Sequence, residues 1–227
     1  MGRVKESTNY YAGGEAMGRY RLVVFDMDGT LIRGANSWQA LHRHFGVENQ
    51  TNLRDYLDGK IDYAEFMRRD IRLWQPPPHV DEVKRVLLRY ELQPHTEYVV
   101  ERLREIGLEI CIVSAGIDIR ARDLGDKLGV RCVLANGLEV DENGYLTGEG
   151  ILRVELLRKE KALESVALLH GFKPEECIAV GDSRFDKSFL SAAGLGIAYK
   201  PAEELVRSAD LVIDDLREIP KIVEEDA

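Results

Sequence analysis

Apolar residues gather along this chain in short, valine-rich runs separated by longer amphipathic stretches. Residues 22–25 read LVVF, and comparable runs recur at 108–113 (LEICIV), 130–134 (VRCVL), 177–180 (CIAV), 195–198 (LGIA) and 211–213 (LVI). A continuous apolar run of this length suits a strand buried on both faces; strict alternation would leave one face wet. Between the runs the spacing becomes helical. Residues 96–106 (TEYVVERLREI) place Val99, Val100, Leu103 and Ile106 on one side and stop at Gly107, as a helix with a glycine terminator would. Residues 119–128 stop at Gly129 and 159–169 just before Gly171 in the same way. Strands alternating with helices predict an α/β fold, a Rossmann-like doubly wound parallel sheet with helices on both faces.

Two segments break the alternation. Residues 35–91 carry the helical patterns SWQALHRHF, YAEFMRRDIRLW and VDEVKRVLLRY, with no strand pattern and a Pro76-Pro77-Pro78 interruption. They predict a helical insertion large enough to pack on itself. Within it, His42 and His44 are two apart, so they do not face each other on a helix and are expected at the surface. Trp38 and Trp74 are expected in the insertion's own core. Residues 137–148 (GLEVDENGYLTG) alternate around Asn143-Gly144, the mark of a small β-hairpin with a tight turn. The chain therefore divides into a core of residues 19–34 and 92–227, the insertion at 35–91, and a flexible N-terminal extension at 1–18.

With 227 residues the chain can bury one substantial core and a small insert. Its net charge of −9 argues against a nucleic-acid partner and against attachment to acidic membranes. No apolar stretch approaches the roughly 18–20 residues of a membrane span. The three cysteines read as buried thiols, which predicts a reducing, cytoplasmic setting.

Open parallel sheets bind ligands at the carboxyl ends of their strands. The first strand ends in Asp26 and Asp28, the second in Ser114-Ala115-Gly116, and the CIAV strand in Gly181-Asp182, with Asp186 following. Lys159 or Lys161 begins the helix that leads into that last strand. Clustered carboxylates raise one another's pKa and cannot all ionise without a cation; a hard divalent ion resolves this, usually Mg²⁺ where phosphate also binds. Ser114 with backbone N–H groups at a helix N-terminus makes an anion cradle. One carboxylate can attack phosphorus, and a second, two residues on, can protonate the leaving oxygen and then activate water.

DMDGT, then IVSAG, then a lysine-led helix, then VGDSRFD resembles the haloacid dehalogenase (HAD) superfamily of phosphohydrolases. Within it the likeness is to the phosphoserine-phosphatase-like branch, which carries a C1-type helical cap where residues 35–91 fall. AVGDSRFDKSFLSAAGLGIAYKPAEEL and LGVRCVLANGLEVDENGYLTGE extend the resemblance to residues 20–225. The resemblance implies a phosphatase that works through an aspartyl-phosphate, with Asp26 as nucleophile and Asp28 as general acid and base. Thr30, Ser114, Ala115, Gly116 and Lys159 would bind phosphate, with Lys161 the alternative lysine. Mg²⁺ would be held by Asp26, the Asp28 carbonyl and Asp182, with Asp186 behind them.

The branch's substrate-binding glutamate falls at Ala35, its arginine at Asp70, and a motif asparagine at Phe185. A buried, uncompensated Asp70 facing a substrate carboxylate would cost several kcal/mol, roughly. The expected substrate is therefore a small phosphorylated metabolite other than phosphoserine, met by Ala35, Asn36, Ser37, Trp38, Phe66, Arg69 and Asp70. The alternatives are a phosphoserine phosphatase with an altered clamp, a phosphomutase, and a silent phosphate-binding module, which should have lost one of the acids. The assembly is expected to be a monomer or homodimer.

Overall fold

The computed structural model describes residues 18–225, so the extension expected at 1–18 lies almost wholly outside the described residues. The chain runs through β1 (Leu22–Phe25), β2 (Ile32–Arg33), the helices α1 (Ser37–Phe45), α2 (Gln50–Leu57), α3 (Tyr63–Ile71) and α4 (Val80–Leu87), then β3 (Glu91–Leu92), α5 (Thr96–Glu105) and β4 (Glu109–Ile117). It continues through α6 (Asp118–Leu128), β5 (Cys132–Val140), β6 (Leu146–Ile151), α7 (Glu160–Leu169), β7 (Cys177–Gly181), α8 (Lys187–Ala192), β8 (Leu195–Tyr199), α9 (Glu203–Val206), β9 (Leu211–Ile213) and α10 (Glu218–Glu225).

A seven-stranded sheet of order β6-β5-β4-β1-β7-β8-β9 forms the core. It is parallel except where β6 returns against β5. β1 lies between β4 and β7, and its four residues are wholly buried, which is why its sequence shows no alternation. Val23 and Phe25 join Ile112, Val180, Leu103 and Leu124 on one face. Leu22 and Val24 join Val113, Ala179, Leu163 and Phe189 on the other. Each of these valine, leucine, isoleucine and phenylalanine side chains contributes about 1.5–3 kcal/mol by leaving water.

The helical insertion has its own cluster of Leu41, Ile71, Trp74, Val83 and Leu87, and the cluster also takes in Ile117 and Leu138 from the sheet. The insertion therefore packs onto the carboxyl end of β4 and β5. Its two ends are drawn together where β2 pairs antiparallel with β3. That short ladder and helix α2 carry no periodic signal. α2 buries Tyr56 alone, stacked on Phe66 of α3 at 5.3 Å, so tertiary contact rather than pattern holds it.

Several expectations change. β4 runs past Val113 to Ile117, through the Ser-Ala-Gly sequence. The hairpin closes through a longer loop, residues 141–145, where the Asp141 carboxylate accepts from the backbone N–H groups of Asn143 and Tyr145. Cys111 and Cys132 form a disulfide and only Cys177 remains a buried thiol. The reason is register: the two cysteines are partners on adjacent strands, which their separation in sequence does not reveal. His44 faces outward, but His42 is 5% exposed and lies in the insertion's core against Trp74. Among the described residues, no helix is long and apolar enough to cross a membrane.

Candidate active site

The chain leaves β1 in a tight loop. Leu31 and Ile32 both donate to the Met27 carbonyl, while Gly29 donates to Ile32. Met27 is wholly buried. Gly29 has φ +97°, and a Cβ there would lie 2.2 Å from an Asp182 carboxylate oxygen. Glycine is thus required twice, by backbone conformation and by the approach of the acid. The Thr30 hydroxyl donates to Asp182 Oδ1 at 3.1 Å, so Thr30 steadies that carboxylate and does not itself line the cavity.

Lys159, at the N-terminal end of α7 and 3% exposed, sits between two acids. Its ammonium lies 2.6 Å from Asp26 Oδ1 and 2.5 Å from Asp186 Oδ1. Lys161 is exposed. Asp186 Oδ2 accepts from the Ser183 N–H and hydroxyl at 2.9 and 2.8 Å, which fixes it behind the cavity wall. Asp28 has a different set of partners. Its Oδ2 accepts from the Ser37 N–H and hydroxyl at 2.9 and 3.0 Å, and its Oδ1 from Arg120 at 3.0 Å.

Burial pushes the Asp26 carboxyl well above the usual range, and Asp186 and Asp182 push it further against the opposing pull of Lys159. Burial, then Asp186, raises Asp182 to about 7, with the Thr30 hydroxyl opposing. Burial alone would lower the Lys159 ammonium, yet Asp186 and Asp26 hold it above its ordinary value. Oxygens of Asp26, Asp182 and Asp186 lie within 4.8 Å of one another. Hard oxygen donors crowded enough to retain protons fit a divalent cation.

Ser114 is buried, and its Oγ accepts from the Gly116 N–H at 3.0 Å. The Ala115 carbonyl is gripped from the insertion by the Trp38 indole at 3.1 Å and the Tyr63 hydroxyl at 3.3 Å, and from β5 by Asn136 at 3.0 Å. A Cβ on Gly116 would meet Ser37 Oγ at 2.6 Å and Asp28 Oδ2 at 2.8 Å. These contacts set the Ser-Ala-Gly strand end against both the acids and the insertion.

A cavity of about 320 Å³ opens between the acids and the insertion. Asp26, Asp28, Ser114, Ala115, Gly116, Lys159 and Asp182 line it from the sheet side, and Asn36, Trp38, Phe66 and Asp70 from the insertion, with Phe185 also in its wall. Trp38 thus belongs to the cavity and not only to the insertion's core. Two expected residues lie elsewhere. Ala35 borders another cavity, lined also by Tyr90 and Arg120, and Arg69 pairs with Glu65 and Asp55.

Asp70 overturns the premise of an uncompensated charge. It accepts from Asn49 at 2.6 Å, Asn52 at 2.8 Å and His42 Nε2 at 3.1 Å. The Trp74 indole, which can only donate, reaches His42 Nδ1 at 3.0 Å, so the proton on His42 sits on Nε2 and faces Asp70. Arg120, Tyr63 and Asn136 had not been anticipated. For Arg120 one signal existed, since it shares the apolar stripe of α6 with Leu124 and Leu128.

Residues 23–191 match the haloacid dehalogenase-like hydrolase family. The chain is 31% identical over 210 residues to phosphoserine phosphatase of Methanocaldococcus jannaschii, covering 89% of this chain and 97% of that protein. It is 33% identical to phosphoserine phosphatase of Archaeoglobus fulgidus over 84% of this chain, which spans 55% of that longer protein. Among solved structures it resembles a phospho-aspartyl intermediate analogue of phosphoserine phosphatase, with TM-score 0.74 and 30% identity over 90% of this chain and 99% of the other.

Proposed function

The chain belongs to the haloacid dehalogenase-like hydrolases, and we propose that it is a Mg²⁺-dependent phosphoserine phosphatase acting through an aspartyl-phosphate on Asp26. The observation that carries the reading is the Lys159 ammonium bridging Asp26 and Asp186 in the wall of a cavity that also holds Asp28, Ser114 and Asp182. The relatives named above are phosphoserine phosphatases. Asp70 is not the uncompensated acid that weighed against that substrate, because three donors serve its carboxylate.

Phosphoserine enters with its phosphoryl group against Ser114, Lys159 and the N–H groups of the Ala115-Gly116 segment. An Asp26 carboxylate oxygen attacks phosphorus; the new acyl-phosphate O–P bond forms as the ester P–O bond breaks. Asp28 gives its proton to the departing serine oxygen. The Asp28 carboxylate then removes a proton from water, whose oxygen attacks phosphorus and releases inorganic phosphate and free Asp26. Lys159 holds Asp26 in place and offsets charge on the phosphoryl oxygens. Mg²⁺, held by Asp26, the Asp28 carbonyl and Asp182, would neutralise the phosphoryl charge that the acids alone repel.

The helices from α1 to α4 serve in this reading as a cap domain, residues 35–91, over a core of 19–34 and 92–227. On the cap side, Asp70 lines the cavity and accepts the substrate ammonium at the one acceptor position that its three donors leave open. The amides of Asn36 and Gln39 face the substrate carboxylate. The clamp is thus rebuilt with the acid on the opposite side from the family pattern.

Free phosphate released from a panel of monoesters in Mg²⁺ tests the assignment. Phosphoserine should give the highest kcat/KM. A sugar phosphate or nucleotide preferred over it would contradict the substrate, and transfer of phosphate back to substrate without release would indicate a mutase.

A further inference from the structure

Arg120, near the start of α6, is a charged side chain with 1% exposure. Burying a guanidinium without partners is costly, so its partners define its work. Nη1 donates to Asp28 Oδ1 and to the Ala35 carbonyl, each at 3.0 Å, and Nε donates to the Leu87 carbonyl at 3.0 Å. Ala35 precedes the first cap helix, and Leu87 ends the last one. The Leu87 carbonyl is one of the last-turn acceptors that a helix leaves without an internal partner, at its negative end. One side chain from the core thus holds Asp28 and both ends of the cap.

Asp28 is held from its other side by the cap as well. Ser37, the first residue of α1, presents its N–H and hydroxyl to Oδ2. The Ile117 N–H donates to the same Ser37 oxygen at 2.9 Å, which turns the hydroxyl hydrogen towards Asp28. Oδ1 is therefore held by a core arginine that also grips both ends of the cap, and Oδ2 by a serine of the cap itself.

We propose that Arg120 is a positioning residue that couples seating of the cap to alignment of the Asp28 carboxyl group on the leaving oxygen. The inference rests on the phosphomonoesterase reading above. A planar fork with several fixed N–H directions can serve three acceptors at once; a lysine ammonium on a flexible stem cannot. The consequence falls on one chemical feature. An alkoxide leaving group needs a proton from Asp28, whereas p-nitrophenolate departs without one. Loss of a general acid typically costs a hundredfold or more, roughly, and only the alkyl ester should feel it fully in kcat/KM.

The test is the ratio of kcat/KM for phosphoserine to that for p-nitrophenyl phosphate in wild type, Arg120→Met and Arg120→Lys, with circular dichroism and melting temperature recorded for each. The ratio should fall about a hundredfold in Arg120→Met and about tenfold or more in Arg120→Lys. Adding Arg120→Met to Asp28→Asn should lower the phosphoserine rate no further, because the two residues act through one group. If Arg120→Met does not fold, Arg120→Lys carries the same test. An active wild type whose ratio is unchanged in the folded variants overturns the inference alone. A wild type inactive on both esters overturns the phosphomonoesterase reading and the inference with it.

Discussion

Asp26, Asp182 and Asp186 share one lysine, and that imbalance sets how the site responds to pH. Asp182 has its carboxyl raised from an ordinary 3.8 to about 7, chiefly by burial and by Asp186. A carboxyl raised in the folded state binds more protons folded than unfolded. Its stabilising contribution is present below about pH 4 and is lost as pH rises through about 7. Without divalent metal the protein should therefore lose stability between those limits. A cation neutralises the carboxylates, so the Tm increment from added Mg²⁺ should grow across the same window. Thermal melts at pH 4.5, 5.5 and 7 with and without Mg²⁺ check this; an increment that shrinks with pH contradicts it. Asp70 offers a second test. Asp70→Asn removes the proposed acceptor for the substrate ammonium, a charge-assisted hydrogen bond worth about 1.5–3 kcal/mol. The KM for phosphoserine should rise tenfold or more, with a much smaller effect on p-nitrophenyl phosphate. Equal effects on the two substrates would remove Asp70 from amino-group recognition.

At the scale of elements, the disulfide ties β4 to β5 across a separation of 21 residues. Closing a loop of that size restricts the unfolded chain by about 3 kcal/mol. Cys132→Ser should lower unfolding free energy by about that amount in denaturant titrations, and the reductant-treated wild type should match it. A change below about 0.5 kcal/mol would show that sheet packing already restricts the strands. This staple also marks where pattern reading stops. LVVF and the acids after it were legible because continuous burial followed by polar residues at a strand's carboxyl end is a local signal. The pairing of Cys111 with Cys132, the short β2–β3 ladder and α2 depend on which segments meet in space. Arg120 hides for a related reason: DIRARD offers Arg120 and Arg122 alike, and only the core contact separates the buried one from its 68%-exposed neighbour. Ala35 was expected from a family pattern and Arg69 from its place beside Asp70; Ala35 instead borders another cavity, and Arg69 pairs with Glu65 and Asp55.

At the scale of the whole molecule, the sheet and the helical insertion meet at the sheet's carboxyl edge, where Asp26, Asp28, Ser114 and Asp182 converge. Ile117 and Leu138 from the sheet share an apolar cluster with residues of the helical insertion, and Trp38 and Tyr63 reach across to the Ala115 carbonyl and Ser37 to Asp28. Substrate must enter, and water must later replace the alcohol, while this contact is made and broken. The account depends most on Asp26 forming the covalent bond to phosphorus. Its most direct test is inorganic phosphate released from phosphoserine in Mg²⁺ by wild type and Asp26→Asn, with circular dichroism confirming that both are folded. The account predicts rapid release by the wild type and none above background by the folded variant; turnover retained by Asp26→Asn would contradict it.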